Sequence, residues 1–318
     1  MKAVMYHYVR RPTTDLPHFR YLHVDDFVAQ LDYFAGTIGL VTREALECWL
    51  DGGSRPTGAL LTFDDGLADH AEIVWPILAE RNLFGIFYVA TGPYEAGRLL
   101  DVHRVHLLTG SHGGAAVAEQ LAKIVRDEWL IDSQVMAFRE DTYKYQRDNT
   151  EAVNHVKRTL NYYIDYAHRQ AAIDALMAHF FGADEGSLAD GFYCRPEQLK
   201  AMAEGGQMIG GHGAKHLVFS KLDKTAQLNE ITACLDFLSK TIEESVTTFC
   251  YPYGGFHTFT ETTERLLTEQ GCRFSFNVEP RDVEEADIRT RPQALPRYDC
   301  NMFPHGRTSY GSQRAAQD

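Results

Sequence analysis

The sequence predicts an α/β fold built on a parallel β-sheet. Short apolar runs alternate with amphipathic segments of helical period along most of the 318 residues, an order typical of strands joined by right-handed helical crossovers. Several of the apolar runs end in charged residues, histidine or glycine, as strands do where the chain turns. A hydrophobic content of 44% is normal for a globular protein. The pattern allows either an open sheet or a closed barrel.

The predicted strands are short and rich in β-branched and aromatic residues. In chain order they lie near 2–9, 59–63, 84–90, 207–211, 246–250 and 273–276. The predicted helices between them carry apolar residues along one face. They lie near 25–36, 68–81, 196–204, 223–243 and 258–270. Because the carboxyl ends of parallel strands share one edge, the residues that follow the strands are expected to share one site.

Two adjacent carboxylates follow the second predicted strand. Residues 58–66 read Gly-Ala-Leu-Leu-Thr-Phe-Asp-Asp-Gly, which is typical of a buried strand that stops at a tight turn. Where the chain bends at Gly66, both Asp64 and Asp65 can converge on one site. One carboxylate could then bind a cation while the other accepts a proton. The alternative is an ordinary Asp-Gly turn with two solvated acids.

A pair of histidines follows the predicted strand at 207–211. His212 and His216 would lie on one face if the segment were helical, so that both imidazoles could bind one metal ion. The spacing alone is a weak signal, because about 0.6 such pairs are expected by chance among 14 histidines in 318 residues. The position of the pair at a strand end favours a metal site.

Residues 98–190 interrupt the alternation and are predicted to form a helical insertion. Apolar residues repeat there with helical spacing between 153 and 180. Because the segment leaves the sheet at the edge that carries the motifs, three roles are open for it: a cap over the site, a homodimer contact, or a stabilising appendage. His103 and His106 at its start are expected to overhang the site. The tail from about 304 is rich in Gly, Ser, Gln and Arg and is expected to be poorly ordered.

Charge and cysteine usage narrow the class of protein. With 31 basic and 44 acidic residues, the formal net charge is −13, which argues against nucleic acid or an anionic membrane as a partner. The first residues lack the apolar core of a signal peptide, and no apolar run reaches the length of a membrane span. Six cysteines without Cys-x-x-Cys spacing favour reduced thiols. We therefore expect a cytoplasmic protein.

Four motifs together resemble one known family. In chain order they are Met5-Tyr6-His7-Tyr8-Val9, Thr62-Phe63-Asp64-Asp65-Gly66, His212-x-x-x-His216 and Cys250-Tyr251-Pro252-Tyr253-Gly254. Over residues 1–95 and 192–300 the chain is similar to the polysaccharide deacetylase (NodB-homology) family, also called carbohydrate esterase family 4. The resemblance implies a distorted (β/α) barrel of about seven strands, in which residues 1–318 form a single domain that carries the helical insertion.

The resemblance also implies a role for each matching residue. Three residues would bind one divalent metal, with zinc preferred and cobalt, nickel or iron as alternatives: Asp65, His212 and His216. Asp64 would be the base that activates water. A group of residues would shape the substrate groove, where a backbone N–H would hold the oxyanion: Tyr251, Tyr253 and Gly254. Two imidazoles and one carboxylate leave other positions open on such an ion, as hydrolysis of an acetamide requires.

Two positions depart from the family's pattern. Cys250 stands where the family often has an arginine that orients the base. The segment Leu295-Pro296-Arg297-Tyr298-Asp299 replaces Leu-x-Leu-x-His, the source of the usual catalytic acid. Arg297 is therefore expected to act in catalysis by supplying the missing positive charge beside Asp64; the alternative is a surface arginine that happens to follow Pro296. Four histidines are rival candidates for the general acid: His7, His103, His106 and His305. Of these, His7 is placed with the catalytic residues, and His103 and His106 with the substrate-binding residues.

Three functions are compatible with these motifs. The leading hypothesis is a metal-dependent amide hydrolase that removes an N-acetyl group from a sugar, in an intracellular glycan precursor or polysaccharide. A second hypothesis keeps the metal but replaces the sugar with a cyclic imide, ureide or other small amide; a closed pocket would favour it. The third is a catalytically silent sugar-binding module. The two departures motivate this third hypothesis, whereas the retained carboxylates and histidines argue against it.

Overall fold

The computed structural model describes residues 1–12, 16–138, 149–182, 185–189 and 191–310. The chain forms two compact units. The first comprises Met1–Arg11, Tyr21–Gly97 and Asp190–Ser309, and the second comprises Pro12–Arg20, Arg98–Ala189 and Tyr310–Asp318. The single domain inferred from the sequence stays a prediction. Of the tail that was expected to be poorly ordered, residues 311–318 lie outside the described residues.

A seven-stranded parallel sheet forms the frame of the first unit. Its strands, here β1 to β7 in chain order, are Lys2–Tyr6, Ala59–Phe63, Gly85–Val89, Met208–Gly211, Thr248–Cys250, Phe274–Phe276 and Tyr298–Asp299. Their order across the sheet is β6-β5-β4-β3-β2-β1-β7. Leu295 also forms a parallel bridge to Phe276 in β6, so the segment that leads into β7 contacts both edge strands and curls the sheet. The predicted α/β fold with a distorted barrel is confirmed.

Neighbouring strands end level with one another at their carboxyl ends. In the parallel register, Tyr6 pairs with Phe63 and Phe63 pairs with Phe87. Further along the sheet, Val89 pairs with Gly211. Because the strands end together, the residues that follow them lie along one edge of the sheet, as the sequence predicts.

Alternate residues of each strand face opposite sides of the sheet. One set packs against the surrounding helices in the larger hydrophobic core, and it includes Tyr6, Phe63, Phe87, Phe249 and Tyr251. The other set fills the barrel interior, and it includes Leu60, Ile86, Tyr88, Cys250 and Phe276. Asp64 comes directly after β2 and is four residues after Leu60, so its side chain is on the same side of the sheet as that of Leu60. Its carboxylate therefore points toward the interior side, where Cys250 also lies.

Helices connect the strands of the first unit. They are Val24–Thr37, Arg43–Leu50, Trp75–Glu80, Gly92–Ala96, Pro196–Glu204, Lys224–Ile242, Glu261–Glu269 and Glu285–Thr290. The helix predicted at 68–81 is interrupted, because a π-helical turn at His70–Val74 precedes its last part. Pro76 accounts for the interruption, since proline has no N–H to donate to the carbonyl four residues earlier. Three further short strands are Val9–Arg10, Arg20–His23 and Ser309–Tyr310.

The second unit is mainly helical in its described part. Its α-helices are Asp101–His112, Gly114–Ile124, Asp132–Phe138, Glu151–Arg158, Tyr166–Phe181 and Glu185–Ala189. The unit has a hydrophobic core of its own, which buries Val156, Leu160, Ile164 and Ile173, and these are residues whose spacing predicts the helices. The three roles weighed for this segment, a cap, a homodimer contact or an appendage, stay predictions.

All six cysteines fall within the described residues, and none of them forms a disulfide. Five of the six are buried, and only Cys48 is exposed. Within the part of the chain that the structure describes, no helix is both long enough and apolar enough to span a membrane.

Candidate metal centre and catalytic site

The two adjacent carboxylates point in different directions. The Asp64 N–H still donates to the Tyr6 carbonyl at 2.9 Å, as in the ladder between β2 and β1. The bend begins one residue later, where Asp65 has a φ of +83° and Gly66 a φ of +66°. A Cβ at Gly66 would lie 2.8 Å from the Val89 side chain, so this turn requires glycine. Two neighbouring acids can therefore contact different partners.

Asp65 lies beside both histidines of the predicted metal site. Its Oδ1 is 3.4 Å from His212 Nε2 and 3.3 Å from His216 Nε2. The ligand atoms of the three side chains all lie within 4.8 Å of one another, and all three residues are buried. Asp65 and His216 both have a positive φ, a conformation that costs free energy and is often found at functional sites.

The two imidazoles meet without the helix that their spacing suggested. His212 directly follows β4, and its N–H donates to the Val89 carbonyl at 3.0 Å. Residues 212–218 form a loop, in which Gly213 and His216 adopt φ values of +76° and +54°. The loop therefore turns back on itself, and the imidazole centroids of His212 and His216 come within 4.8 Å.

These residues fit a divalent metal ion. His212 Nδ1 lies 2.7 Å from the Cys250 carbonyl oxygen. Because a carbonyl can only accept, Nδ1 carries the proton and Nε2 keeps its lone pair for an ion. Burial lowers the pKa of His212, but its interactions with Cys250, Asp65 and Asp64 together raise it by more, so it lies well above its ordinary value. A proton and a metal ion therefore compete for the same atom.

Asp64 forms a bidentate ion pair with Arg297. Arg297 donates from its two terminal nitrogens to the two carboxylate oxygens of Asp64, each at 2.7 Å. The same guanidinium donates to Thr62 Oγ1 at 3.1 Å and to Cys250 Sγ at 3.0 Å. Burial raises the pKa of Asp64, but the charges of Arg297 and His212 and the hydrogen bonds from Arg297 together outweigh burial, and the pKa lies below its ordinary value. Asp64 is thus held ionised in a single orientation.

Arg297 reaches this position because the segment before β7 crosses the gap between the two edge strands. Leu295 bridges β6, and Tyr298 pairs with Val4 in β1, so the intervening Arg297 lies at the seam. Its side chain is only 1% exposed. The guanidinium carbon lies 6.0 Å from the ring centre of Tyr88 and 5.9 Å from that of Phe276. Both rings belong to the barrel interior.

His7 follows β1 at the same edge of the sheet. It is partly buried, and a positive charge on its imidazole lowers the pKa of Asp64. The His7 carbonyl accepts a hydrogen bond from His70 Nε2 at 3.0 Å. Burial lowers the pKa of His70 to about 4, so the ring that fixes the His7 backbone is neutral at physiological pH. The general-acid role of His7 stays a prediction.

The loop after β5 brings one of its two tyrosines to the metal centre. The ring centroid of Tyr253 lies 4.9 Å from that of His216, and Tyr253 has a φ of +65°. Gly254 follows with a φ of +72°, and a Cβ there would lie 2.3 Å from the Val278 side chain.

Tyr251, by contrast, packs in the outer core: its ring stacks on Phe259 at 3.8 Å and its hydroxyl donates to the Gln293 carbonyl at 2.6 Å. Contrary to the prediction, the Tyr251 side chain lines no groove.

The remaining candidate histidines lie on other elements. His103 and His106 belong to the helix Asp101–His112 of the second unit, and His103 is fully buried. Their predicted role in substrate binding stays a prediction. His305 is exposed and has a φ of +63°.

Two further residues support the centre, in roles that were not predicted from the sequence. Cys250 contacts both halves of it, because its carbonyl accepts from His212 and its thiol accepts from Arg297. Glu230 accepts from the Lys215 N–H, next to His216, at 2.7 Å. Glu230 could have been recognised from its position in the helix Lys224–Ile242, because it shares the buried face with Ile231, Cys234 and Leu238. A carboxylate in a core register usually has a specific partner.

A family model described as polysaccharide deacetylase matches residues 52–275 of this chain. The match includes both carboxylates and both histidines of the candidate centre, whereas His7 and Arg297 lie outside it. No curated protein matches the chain.

Solved structures share the fold at low sequence identity. The chain is similar to the deacetylase PplD of Streptococcus pyogenes in complex with acetate, with 14% identity, a TM-score of 0.57, and coverage of 94% of this chain and 91% of that one. IcaB from Ammonifex degensii has 17% identity, a TM-score of 0.52 and coverage of 93% and 90%. A de-N-acetylase from Aggregatibacter actinomycetemcomitans has 13% identity, a TM-score of 0.51 and coverage of 93% of each chain. At these identities the similarity shows the fold.

Proposed function

The chain belongs to the polysaccharide deacetylase family and is a hydrolase of carbon–nitrogen bonds other than peptide bonds; we propose that it removes the N-acetyl group from an acetylated sugar. One observation carries the proposal. Two adjacent carboxylates divide between different partners, with Asp65 beside two histidines and Asp64 beside Arg297. Amide hydrolysis needs this division, because a polarised carbonyl and a deprotonated water must be provided side by side.

The metal would be held by Asp65, His212 and His216, and we propose zinc, with cobalt, nickel or iron as alternatives. When bound there, a divalent ion supplies Lewis-acid polarisation of the amide carbonyl and makes a water more acidic. In this proposal, Asp64 accepts the proton of the attacking water through one carboxylate oxygen. Arg297 keeps that carboxylate ionised and fixes its rotamer, and His7 donates the proton that the leaving amine requires.

We also propose that the reaction takes place in the cytoplasm, on an intracellular glycan precursor or polysaccharide. The supporting observation is that none of the six cysteines is paired with another, a pattern typical of proteins in reducing compartments.

An assay of acetate release from N-acetyl sugars, run beside an assay of ring opening for a cyclic imide, tests the proposed function. The substrates would be N-acetylglucosamine, its oligomers, a nucleotide-linked N-acetyl sugar and a cyclic imide, each with and without a chelator. We expect acetate from at least one N-acetyl sugar and a loss of the activity on chelation. Turnover of the imide alone would assign the protein to small-amide hydrolysis. Binding of the sugars without release of acetate would identify a silent module.

Replacement of Arg297 is expected to change the pH dependence of the reaction. The base works only when ionised, so the rate falls as the pH drops through the pKa of Asp64. Without the guanidinium that pKa rises, and the acidic limb of the pH–rate profile of Arg297→Ala should move upward by about 1–3 pH units. Arg297→Lys should restore only part of the shift, because an ammonium cannot bind both oxygens in a fixed plane.

Arg291→Ala is the matched control for Arg297→Ala. It removes an arginine six residues away, whose guanidinium pairs with Glu264 at 2.6 Å on the exterior. The profile of Arg291→Ala should coincide with that of the wild type. If Arg297→Ala gave the wild-type profile as well, Arg297 would have no role in ionising the base.

A further inference from the structure

The loop that carries both metal-binding histidines is held by a carboxylate from a helix. Glu230, on the helix Lys224–Ile242, is 7% exposed. Its Oε2 accepts the Lys215 N–H at 2.7 Å, and the Ala214 N–H is directed at the same carboxylate. These two amides lie between His212 and His216, so Glu230 contacts the backbone midway between the two imidazole ligands.

The carbonyl groups of the same loop are held by a second segment of the chain. The Thr91 N–H donates to the Gly213 carbonyl at 3.2 Å, and the Gly92 N–H donates to the Ala214 carbonyl at 2.6 Å. A Cβ at Gly92 would lie 2.8 Å from that Ala214 oxygen, so the two segments approach as closely as glycine allows. The loop is therefore fixed at its carbonyls by the segment after β3 and at its amides by Glu230.

The loop needs this support because its conformation is unfavourable in isolation. His216 has a φ of +54°, and a non-glycine residue in this region costs of order 1–3 kcal/mol unless its surroundings hold it there. Release of the Lys215 amide would let the peptide before His216 rotate, and the imidazole would leave its place beside Asp65. A strained backbone at a metal ligand is kept only where neighbouring contacts determine it.

The carboxylate of Glu230 also brings negative charge close to the loop. Its Oε2 would lie 3.7 Å from a Cβ at Gly213, the residue that follows His212. A negative charge this close to the loop favours a cation bound by the two histidines of that loop.

We propose that Glu230 is a positioning residue for metal binding, which acts on affinity by fixing the backbone of the histidine loop. The proposal rests on the metal site of the proposed function. Supporting groups of metal ligands typically contribute 10- to 100-fold to metal affinity. Glu230 differs from the usual case, because the contacts described above are with the backbone between two ligands.

Isothermal titration of the metal-free full chain with Zn²⁺ and Co²⁺ tests this proposal. Glu230→Ala should weaken binding by about 10-fold or more. Glu230→Gln keeps an oxygen that can accept the Lys215 N–H but loses the charge, so its affinity should lie between those of the wild type and Glu230→Ala. Melting temperatures of the metal-free variants separate loss of affinity from loss of folding.

Gln227→Ala is the matched control. Gln227 lies one turn earlier on the same buried helix face, but it bonds to the Leu222 carbonyl and to Thr263. Its replacement should lower stability and leave metal affinity unchanged. Equal affinities for the wild type and both Glu230 variants would overturn the proposal. Equal losses of metal affinity in Glu230→Gln and Gln227→Ala would also overturn it. This second comparison can be made even if Glu230→Ala does not fold. If the wild type bound no metal, the proposed metal site itself would fail, which is a distinct result.

Discussion

Asp64→Asn is expected to lower kcat by about 10²-fold or more, which corresponds to about 2.7 kcal/mol in the activation barrier. An amide has nearly the shape of the carboxylate but cannot accept a proton from water. It also loses one of the two oxygens that Arg297 contacts at 2.7 Å. The measurement is the rate of acetate release at saturating substrate, together with the metal content of the purified variant.

The metal content distinguishes a base from a ligand in this experiment. Asp64 contacts Arg297 whereas Asp65 contacts the histidines, so Asp64→Asn should keep about one metal ion per chain. Asp282→Asn is the control, because Asp282 pairs with Lys2 at the opposite end of β1 and its loss should leave kcat unchanged. A kcat of Asp64→Asn near the wild-type value would show that another group activates the water.

His212→Ala and His216→Ala are each expected to weaken metal affinity by more than about 100-fold, because even residues that only support a ligand contribute 10- to 100-fold. Each substitution leaves a single imidazole and one carboxylate, too few ligands to hold a divalent ion firmly. Acetate release should fall with metal content. Elemental analysis and titration of the metal-free variants measure the effect.

The two histidine variants should also differ from each other. His212→Ala removes the ring whose Nδ1 donates to the Cys250 carbonyl at 2.7 Å, and that carbonyl is left in the interior without its donor. It should therefore cost more stability than His216→Ala. His155→Ala, at an exposed position of the helix Glu151–Arg158, is the control that should keep both metal and stability. Retention of metal by both active-site variants would refute the assignment.

The sequence predicted the strands and helices whose pattern is long enough to show a period. All six predicted strands are present, although the first is shorter than expected and ends at Tyr6. The seventh, Tyr298–Asp299, is only two residues long, and two residues carry no period. The helix Arg43–Leu50 was also missed, although Thr42 caps it by accepting from the Ala45 N–H at 3.2 Å. A threonine directly before a helical pattern is a capping signal that could have located this helix.

The candidate site was predictable in so far as it depends on strand ends. Asp65 and His212 each follow a strand, and the carboxyl ends of parallel strands share one edge of the sheet. The positions of the motifs in the sequence were therefore enough to predict that these two residues lie at one site. The pairing of Arg297 with Asp64 was suggested by a missing arginine, but the contact itself depends on how the segment before β7 closes the barrel. No local pattern contains that information.

Tyr251 shows where a motif misled and strand parity would have helped. The motif groups Tyr251 with Tyr253 as one surface, yet Cys250 and Tyr251 are neighbours and face opposite sides of the sheet. Cys250 faces the interior and contacts Arg297, so Tyr251 must face the outer helices. Tyr253 escapes the alternation only because its φ of +65° turns the chain back toward His216.

Stoichiometric reconstitution of the metal-free protein tests most directly that a single metal centre at Asp65, His212 and His216 drives deacetylation. Zn²⁺ or Co²⁺ would be added in steps to a known concentration of chain, and acetate release from the best N-acetyl sugar would be measured at each step. We predict activity that rises in proportion to the added ion and levels off at about one equivalent per chain. His212→Ala should show no rise over the same range. A metal-free protein as active as the reconstituted one would contradict this account.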